Sequence, residues 1–150
     1  MNITASDIKN LRELTNCGVM ECKRALEEAQ GDVEKAKAAL REQGIAKAAK
    51  KSSRETGNGI VHSYIHSGSR LGVMVKLLCE TDFAAGTPAF TELAHNIALQ
   101  VAAIKPEDTN SLLESAYIKD SSLKVSDLIT NTVAVIGENI RLESYCILEI

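Results

Sequence analysis

The stretch Cys79-Glu-Thr-Asp-Phe-Ala-Ala-Gly86 sets an acid and an aromatic ring side by side where a strand runs out. A bulky apolar side chain at such a tip is either folded back into the core or offered to a partner. The chain has only two phenylalanines, so the placement of Phe83 matters. Other reactive side chains form no comparable group. His62 and His66 fall on one strand face, but four residues of strand separate them by about 13 Å, too far for one metal ion. Cys17 and Cys22 have no further metal ligands near them in sequence, and no metal site is expected. Lys47, Lys50, Lys51 and Arg54 make a small basic run that reads as a solvated helix face. No Ser/His/Asp or Cys/His arrangement for nucleophilic catalysis can be assembled, so the chain reads as a non-enzyme without cofactors.

The elements that must carry residues 81–83 are well marked. Leu71, Val73, Val75, Leu77 and Cys79 alternate, the period of a strand packed on one side. Thr87 stands at an N-cap position with Pro88 behind it. Phe90, Leu93, Ala94, Ile97, Ala98, Val101 and Ala102 follow at helical spacing. Thr81, Asp82 and Phe83 therefore occupy a short strand-to-helix connection. Residues 60–66 pair with 71–80 across the turn Ser67-Gly-Ser-Arg70 as a hairpin. Residues 139–150 supply a third strand, with Ile140, Leu142, Cys146, Leu148 and Ile150 on one face. Val125, Leu128, Ile129, Val133 and Ile136 mark a helix ending at Gly137. Residues 107–123 are weakly patterned, with one short helix around Leu112 and Leu113.

Upstream of the hairpin the period is helical. Thr4 and Asp7 form a capping pair, and Ile3 and Ile8 a hydrophobic staple. That first helix stops near Asn16-Cys17-Gly18. A second buries Cys22, Ala25, Leu26 and Ala29 and ends at Gly31. Asp32 caps a third, which buries Val33, Ala36, Ala39 and Leu40 and ends at Gly44. Residues 45–56 are rich in Ala and Lys with a thin apolar face, the pattern of an exposed connecting helix, broken by Gly57-Asn58-Gly59. The expected fold is α+β: a three-helix module over 1–45, a connecting helix over 46–57, and an α+β core over 58–150 with a small three-stranded antiparallel sheet packed with helices.

Composition bounds the function. At 150 residues with 45% hydrophobic content, one modest core and a small module can form. A net charge of −3 argues against a general nucleic-acid binder. No apolar run is long enough to span a membrane, and the polar start lacks the regions of a signal peptide. The four cysteines contain no CxxC pair and read as reduced thiols of a cytoplasmic compartment, or its equivalent in an organelle.

Three segments carry a resemblance. Thr15-Asn-Cys-Gly-Val-Met-Glu-Cys-Lys-Arg-Ala-Leu26 resembles a TGAGMMDCKKAL-type segment. Cys79-Glu-Thr-Asp-Phe-Ala-Ala85 resembles a TDFVA signature, with Ala84 in place of its Val. Ile136-Gly-Glu-Asn-Ile140 resembles an IGENI segment. In this order and at these distances, with an Ala/Lys-rich helix between the first two, they resemble the translation elongation factor Ts family over about residues 1–104 and 124–150. The chain is similar to the family's short form, with one core subdomain, and is shorter still between the Thr87 helix and residue 124.

The resemblance implies a guanine-nucleotide exchange factor for elongation factor Tu, working in polypeptide elongation. It implies that the N-terminal module is ubiquitin-associated-like and docks on the partner's nucleotide domain through Arg12, Val19, Met20 and Lys23. It implies that Thr81, Asp82, Phe83 and Ala84 form a wedge that disturbs the partner's magnesium site without touching the nucleotide. It also implies a homodimer, with no nucleic acid and no membrane among the partners. The residues alone leave two alternatives: Phe83 packed under its own helix, and Val19 and Met20 capping the bundle core. A ubiquitin-associated-like adaptor fused to a dimerising domain, without exchange activity, is the competing function.

Overall fold

A computed structural model describes residues 3–150. Met1 and Asn2, which open the expected 1–45 module and the polar start, lie outside the described residues. The chain is α+β. Three N-terminal helices, α1 (Ala5–Thr15), α2 (Val19–Glu28) and α3 (Val33–Lys51), precede the sheet. Strands β1 (Asn58–Ile65) and β2 (Leu71–Cys79) form the hairpin, and a one-turn helix α4 (Asp82–Ala85) leads into α5 (Pro88–Ile104). Helix α6 (Thr109–Glu114), strands β3 (Ala116–Tyr117) and β4 (Asp120–Lys124), helix α7 (Val125–Ile136) and strand β5 (Ile140–Glu149) complete it.

The N-terminal helices start as their caps dictate. Thr4 Oγ1 accepts from the Asp7 amide at 3.3 Å, and Asp7 Oδ2 accepts from the Thr4 amide at 2.9 Å. Asn16 ends α1 in the left-handed conformation, φ 54°. Leu11, Cys22, Ala25, Leu26, Ala36 and Leu40 form a small core, with Ile3 and Ile8 packed on it.

Helix α3 corrects the expected boundary. It does not end at Gly44 but continues to Lys51 as one 19-residue helix. Its second half is not an exposed connector. Gly44 is buried, and a methyl group added there would stand 3.5 Å from Ala134 Cβ of α7. Ala48 packs on the main core, and Arg41 Nη2 meets Asp127 Oδ2 at 3.0 Å. Glycine here is the small residue at a helix crossing and not a C-cap. Residues 46–51 of the expected connecting segment thus belong to α3.

The sheet has the order β1-β2-β5, antiparallel throughout. Helices α5 and α7 cover one face. Val73, Val75, Leu77 and Cys79 of β2 meet Phe90, Leu93, Ala94, Ile97 and Val101 of α5 in a single core, which Ile140 and Leu142 join from β5.

In β5 the expected face holds for Ile140 and Leu142 only. A bulge at Glu143 breaks the register: Leu77 pairs with Leu142, but Lys76 pairs with Ser144. The extra residue flips everything beyond it. Tyr145 and Ile147 turn to the core, and Tyr145 Oη donates to Pro106 O at 2.7 Å. Cys146, Leu148 and Ile150 are exposed.

Residues 107–123 hold more order than their pattern suggests. Beside α6 they form the β3-β4 hairpin, pinned by the fully buried Gln100 of α5. Gln100 Nε2 donates to Ser115 Oγ at 3.0 Å and to Ala116 O at 2.8 Å, and Gln100 Oε1 accepts from the Ile118 amide at 2.9 Å.

Candidate functional site

The strand-to-helix connection is a built turn. Strand β2 ends at Cys79, whose buried Sγ donates to Thr81 O at 3.1 Å. Burial, with the Glu138 carboxylate nearby, pushes the Cys79 thiol up and keeps it protonated and donating. Thr81 then caps α4, its Oγ1 accepting from the Ala84 amide at 3.2 Å. The cap is itself held across the molecule: Glu138 accepts from the Thr81 amide at 3.0 Å and from Thr81 Oγ1 at 2.6 Å. Next to it the Asn139 amide donates to Glu80 Oε1 at 2.7 Å. Glu80 also faces Arg54 at 3.6 Å.

The residues of this turn part company. Ala84 and Ala85 are turned inward and buried in the main core. Ala84, at 1% exposure, therefore supports the turn from beneath and does not offer the partner surface expected of it. Thr81, Asp82 and Phe83 are exposed. Phe83 is 84% exposed, whereas the chain's other phenylalanine, Phe90, is fully buried. Phe83 is not packed under α5; that place is taken by Phe90. A nearly bare phenyl ring on a braced turn, beside the exposed carboxylate of Asp82, is suited to filling an apolar slot on another molecule.

The second expected group lies on the N-terminal module. Val19 and Met20 open α2 and are 49% and 72% exposed. They lie outside the bundle core. Arg12 and Lys23 are exposed as well, with Lys23 at 3.8 Å from Glu27. Leu14 of α1 is exposed too. The first turn of α2 is fixed by Glu21, which accepts from the Gly18 amide at 3.2 Å and pairs with Lys47 of α3. The Lys47 ammonium holds the Glu21 carboxyl below the usual range, and the Gly18 amide adds to this against a burial cost. Lys47 and Arg54 of the basic run are thus both ion-paired within the chain.

One cluster joins residues of two elements. His62 of β1 meets His95 of α5, Nε2 to Nδ1 at 3.2 Å, and Tyr64 Oη lies 2.9 Å from His66 Nδ1. All three histidines thus lie along one run of contacts around Tyr64. Burial, then the neighbouring His95, lowers the His62 pKa. Residue spacing could not show it, because His95 arrives from another element. Among the described residues no group of three or more His, Cys, Asp or Glu side chains could hold a metal ion. No helix among them is long and apolar enough to cross a membrane.

The family model for elongation factor Ts matches residues 2–108 and again 80–150, so residues 80–108 fall in both matches. The elongation factor Ts of Gloeothece citriformis is 40% identical, over 95% of this chain and 66% of that relative. That of Desulfosudis oleivorans is 39% identical over 95% of each chain. The chloroplastic elongation factor Ts of Guillardia theta is 37% identical over 97% of this chain and 87% of its own length. These alignments run over 188 to 191 residues against a chain of 150, so the relatives carry segments that this chain lacks.

Proposed function

The chain belongs to the elongation factor Ts family, and on that premise we propose that it is a guanine-nucleotide exchange factor that binds elongation factor Tu·GDP and speeds GDP release. The observation that carries this is Phe83: an 84% exposed residue on a turn held by buried Ala84 and Ala85 beneath it and by the two hydrogen bonds from Thr81 to Glu138. In this reading Phe83 enters the partner beside its magnesium site and Asp82 fixes the register by hydrogen bonding. The factor binds the nucleotide-free partner more tightly than the GDP-bound one. By linkage it weakens GDP by the same factor. No covalent step and no contact with the nucleotide are required, so the protein is not an enzyme in the chemical sense. GTP then reloads the freed partner for the next round of elongation, in the cytoplasm or the matching compartment of an organelle.

Docking falls to Arg12, Val19, Met20 and Lys23 on the helical module. The crossing of α3 and α7 favours a fixed geometry between module and core, so that the second contact forms at high effective concentration once the first is made. The match to the elongation factor Ts family over both halves of the chain favours exchange over an adaptor without that activity.

Assembly follows from the uncovered face of the sheet. Val61 and Ile65 of β1, Met74 of β2 and Leu148 of β5 are all exposed on the side away from α5 and α7. A second copy of the same face covers it by two-fold symmetry, giving a homodimer through the core sheets with the helical modules outermost. The test of the exchange reading is labelled-GDP release from elongation factor Tu by the wild-type chain and by Phe83→Ala.

A further inference from the structure

We propose that Glu138 is a positioning residue for nucleotide exchange: through its two hydrogen bonds to Thr81 it sets the direction of the helix turn that carries Phe83. This rests on reading Phe83 as the wedge. A single helical turn does not hold its shape by its own hydrogen bonds, because nucleation costs more than one turn returns. The ring of Phe83 has almost no packing to fix it, so its direction is that of the α4 backbone.

That backbone is fixed at Thr81, where every polar atom is used. The amide donates to Glu138 at 3.0 Å, and the carbonyl accepts from Cys79 Sγ at 3.1 Å and from the Ala85 amide at 3.2 Å. The hydroxyl does two things at once. It donates to Glu138 at 2.6 Å, which leaves a lone pair aimed at the Ala84 amide, 3.2 Å away. Removing Glu138 frees the hydroxyl to rotate and leaves the Thr81 amide to solvent, so neither atom holds the turn in one direction.

Glu138 is itself well placed to act as an anchor. It follows Gly137, which ends α7 at φ 84°, a conformation glycine adopts without strain. It precedes Asn139, which is 8% exposed and whose Nδ2 donates to Ser52 O at 3.3 Å and Arg54 O at 2.8 Å, past the end of α3. The Asn139 amide on Glu80 Oε1 closes a second link between the same two segments. The turn after α7 is thus tied to the end of the sheet and to the chain leaving α3, and Glu138 passes that fixed frame to the wedge. A ring not held in place must be ordered on contact with the partner, at the expense of the rate enhancement.

The experiment measures labelled-GDP release from elongation factor Tu over a range of factor concentrations, with amide hydrogen exchange of the free protein. Glu138→Ala is expected to lower the maximal release rate by about tenfold. The half-saturating concentration, set by docking, stays within about twofold, and the amides of Ala84 and Ala85 exchange faster while those of β2 do not. Glu138→Gln, which keeps an acceptor oxygen, recovers most of the rate. Thr81→Ala attacks the same bond from the other side and gives the same loss, so the test survives a Glu138→Ala protein that fails to fold. A normal maximal rate in Glu138→Ala, with Phe83→Ala inactive, overturns the positioning role and leaves the wedge standing. A slow Glu138→Ala whose α4 amides stay protected means that Glu138 touches the partner directly, which also overturns it. Normal rates in both Glu138→Ala and Phe83→Ala overturn the wedge reading and this role with it.

Discussion

Gly44 of α3 lies against Ala134 of α7, with room for a methyl group at an ordinary 3.5 Å. The contact joins the N-terminal helices to the core and lies inside a continuous helix. Glycine in a helix interior costs about 0.5–1 kcal/mol relative to alanine. Gly44→Ala is therefore expected to raise Tm by a few degrees, measured by thermal unfolding. A lowered Tm would mean that the helix breaks at residue 44 or that the crossing is tighter than this.

Burial of His62, with its contact to His95 adding to it, makes stability depend on pH. The folded-state pKa of His62 is depressed, first by burial and then by His95. Below about pH 6.5 the unfolded chain takes up the proton more readily than the folded one, so stability rises with pH through this window and is lost as pH falls. The contribution is fully present above the unfolded pKa. The Tm difference between wild type and His62→Gln is expected to shrink as pH is lowered from about 7.5 to 5.5. A difference that stays constant over that range would contradict a depressed His62 pKa in the folded chain.

Met20 tests docking separately from exchange. Its side chain is 72% exposed and outside the bundle core, so Met20→Asp leaves Tm nearly unchanged. Loss of an apolar anchor at an interface costs about 1–2 kcal/mol, a rise of roughly tenfold in half-saturating concentration. The maximal release rate stays near wild type. A fall in maximal rate with unaltered half-saturation would assign α2 to the exchange step itself.

The uncovered sheet face predicts self-association. Light scattering at micromolar concentration should report about twice the chain mass. Cys146, which pairs opposite Met74 and is exposed on the single chain, should react with a thiol reagent more slowly as protein concentration rises. A monomer with equally reactive Cys146 at every concentration would refute the dimer.

Much of this fold is legible locally because caps and periods are local. Thr4 with Asp7, Asp32, and Thr87 with Pro88 start helices where the sequence places them. The alternation of Leu71 to Cys79 gives the buried central strand. What could not be read depends on partners far along the chain. Gly44 resembles a helix stop until Ala134 is seen beside it. Glu143 carries no sign of a bulge, yet it reverses the face of everything after it. Gln100 looks like a surface residue of an amphipathic helix, and its role is to hold a hairpin that has no periodicity of its own. In the candidate site, Phe83 stands out by type and place. Ala84 follows it in the same motif but faces inward, a consequence of the one-turn helix. Glu138 lies in a recognisable segment, but its bond to Thr81 spans 57 positions and has no local signal.

In the proposed function Phe83 acts on a partner and not on its own core. Labelled-GDP release from elongation factor Tu should be measured with wild type and Phe83→Ala, alongside Tm. With the ring 84% exposed, truncation should leave Tm within a degree or two. The maximal release rate should fall at least tenfold, corresponding to about 2 kcal/mol or more of lost contact. A stable Phe83→Ala protein that releases GDP at the wild-type rate would contradict the account.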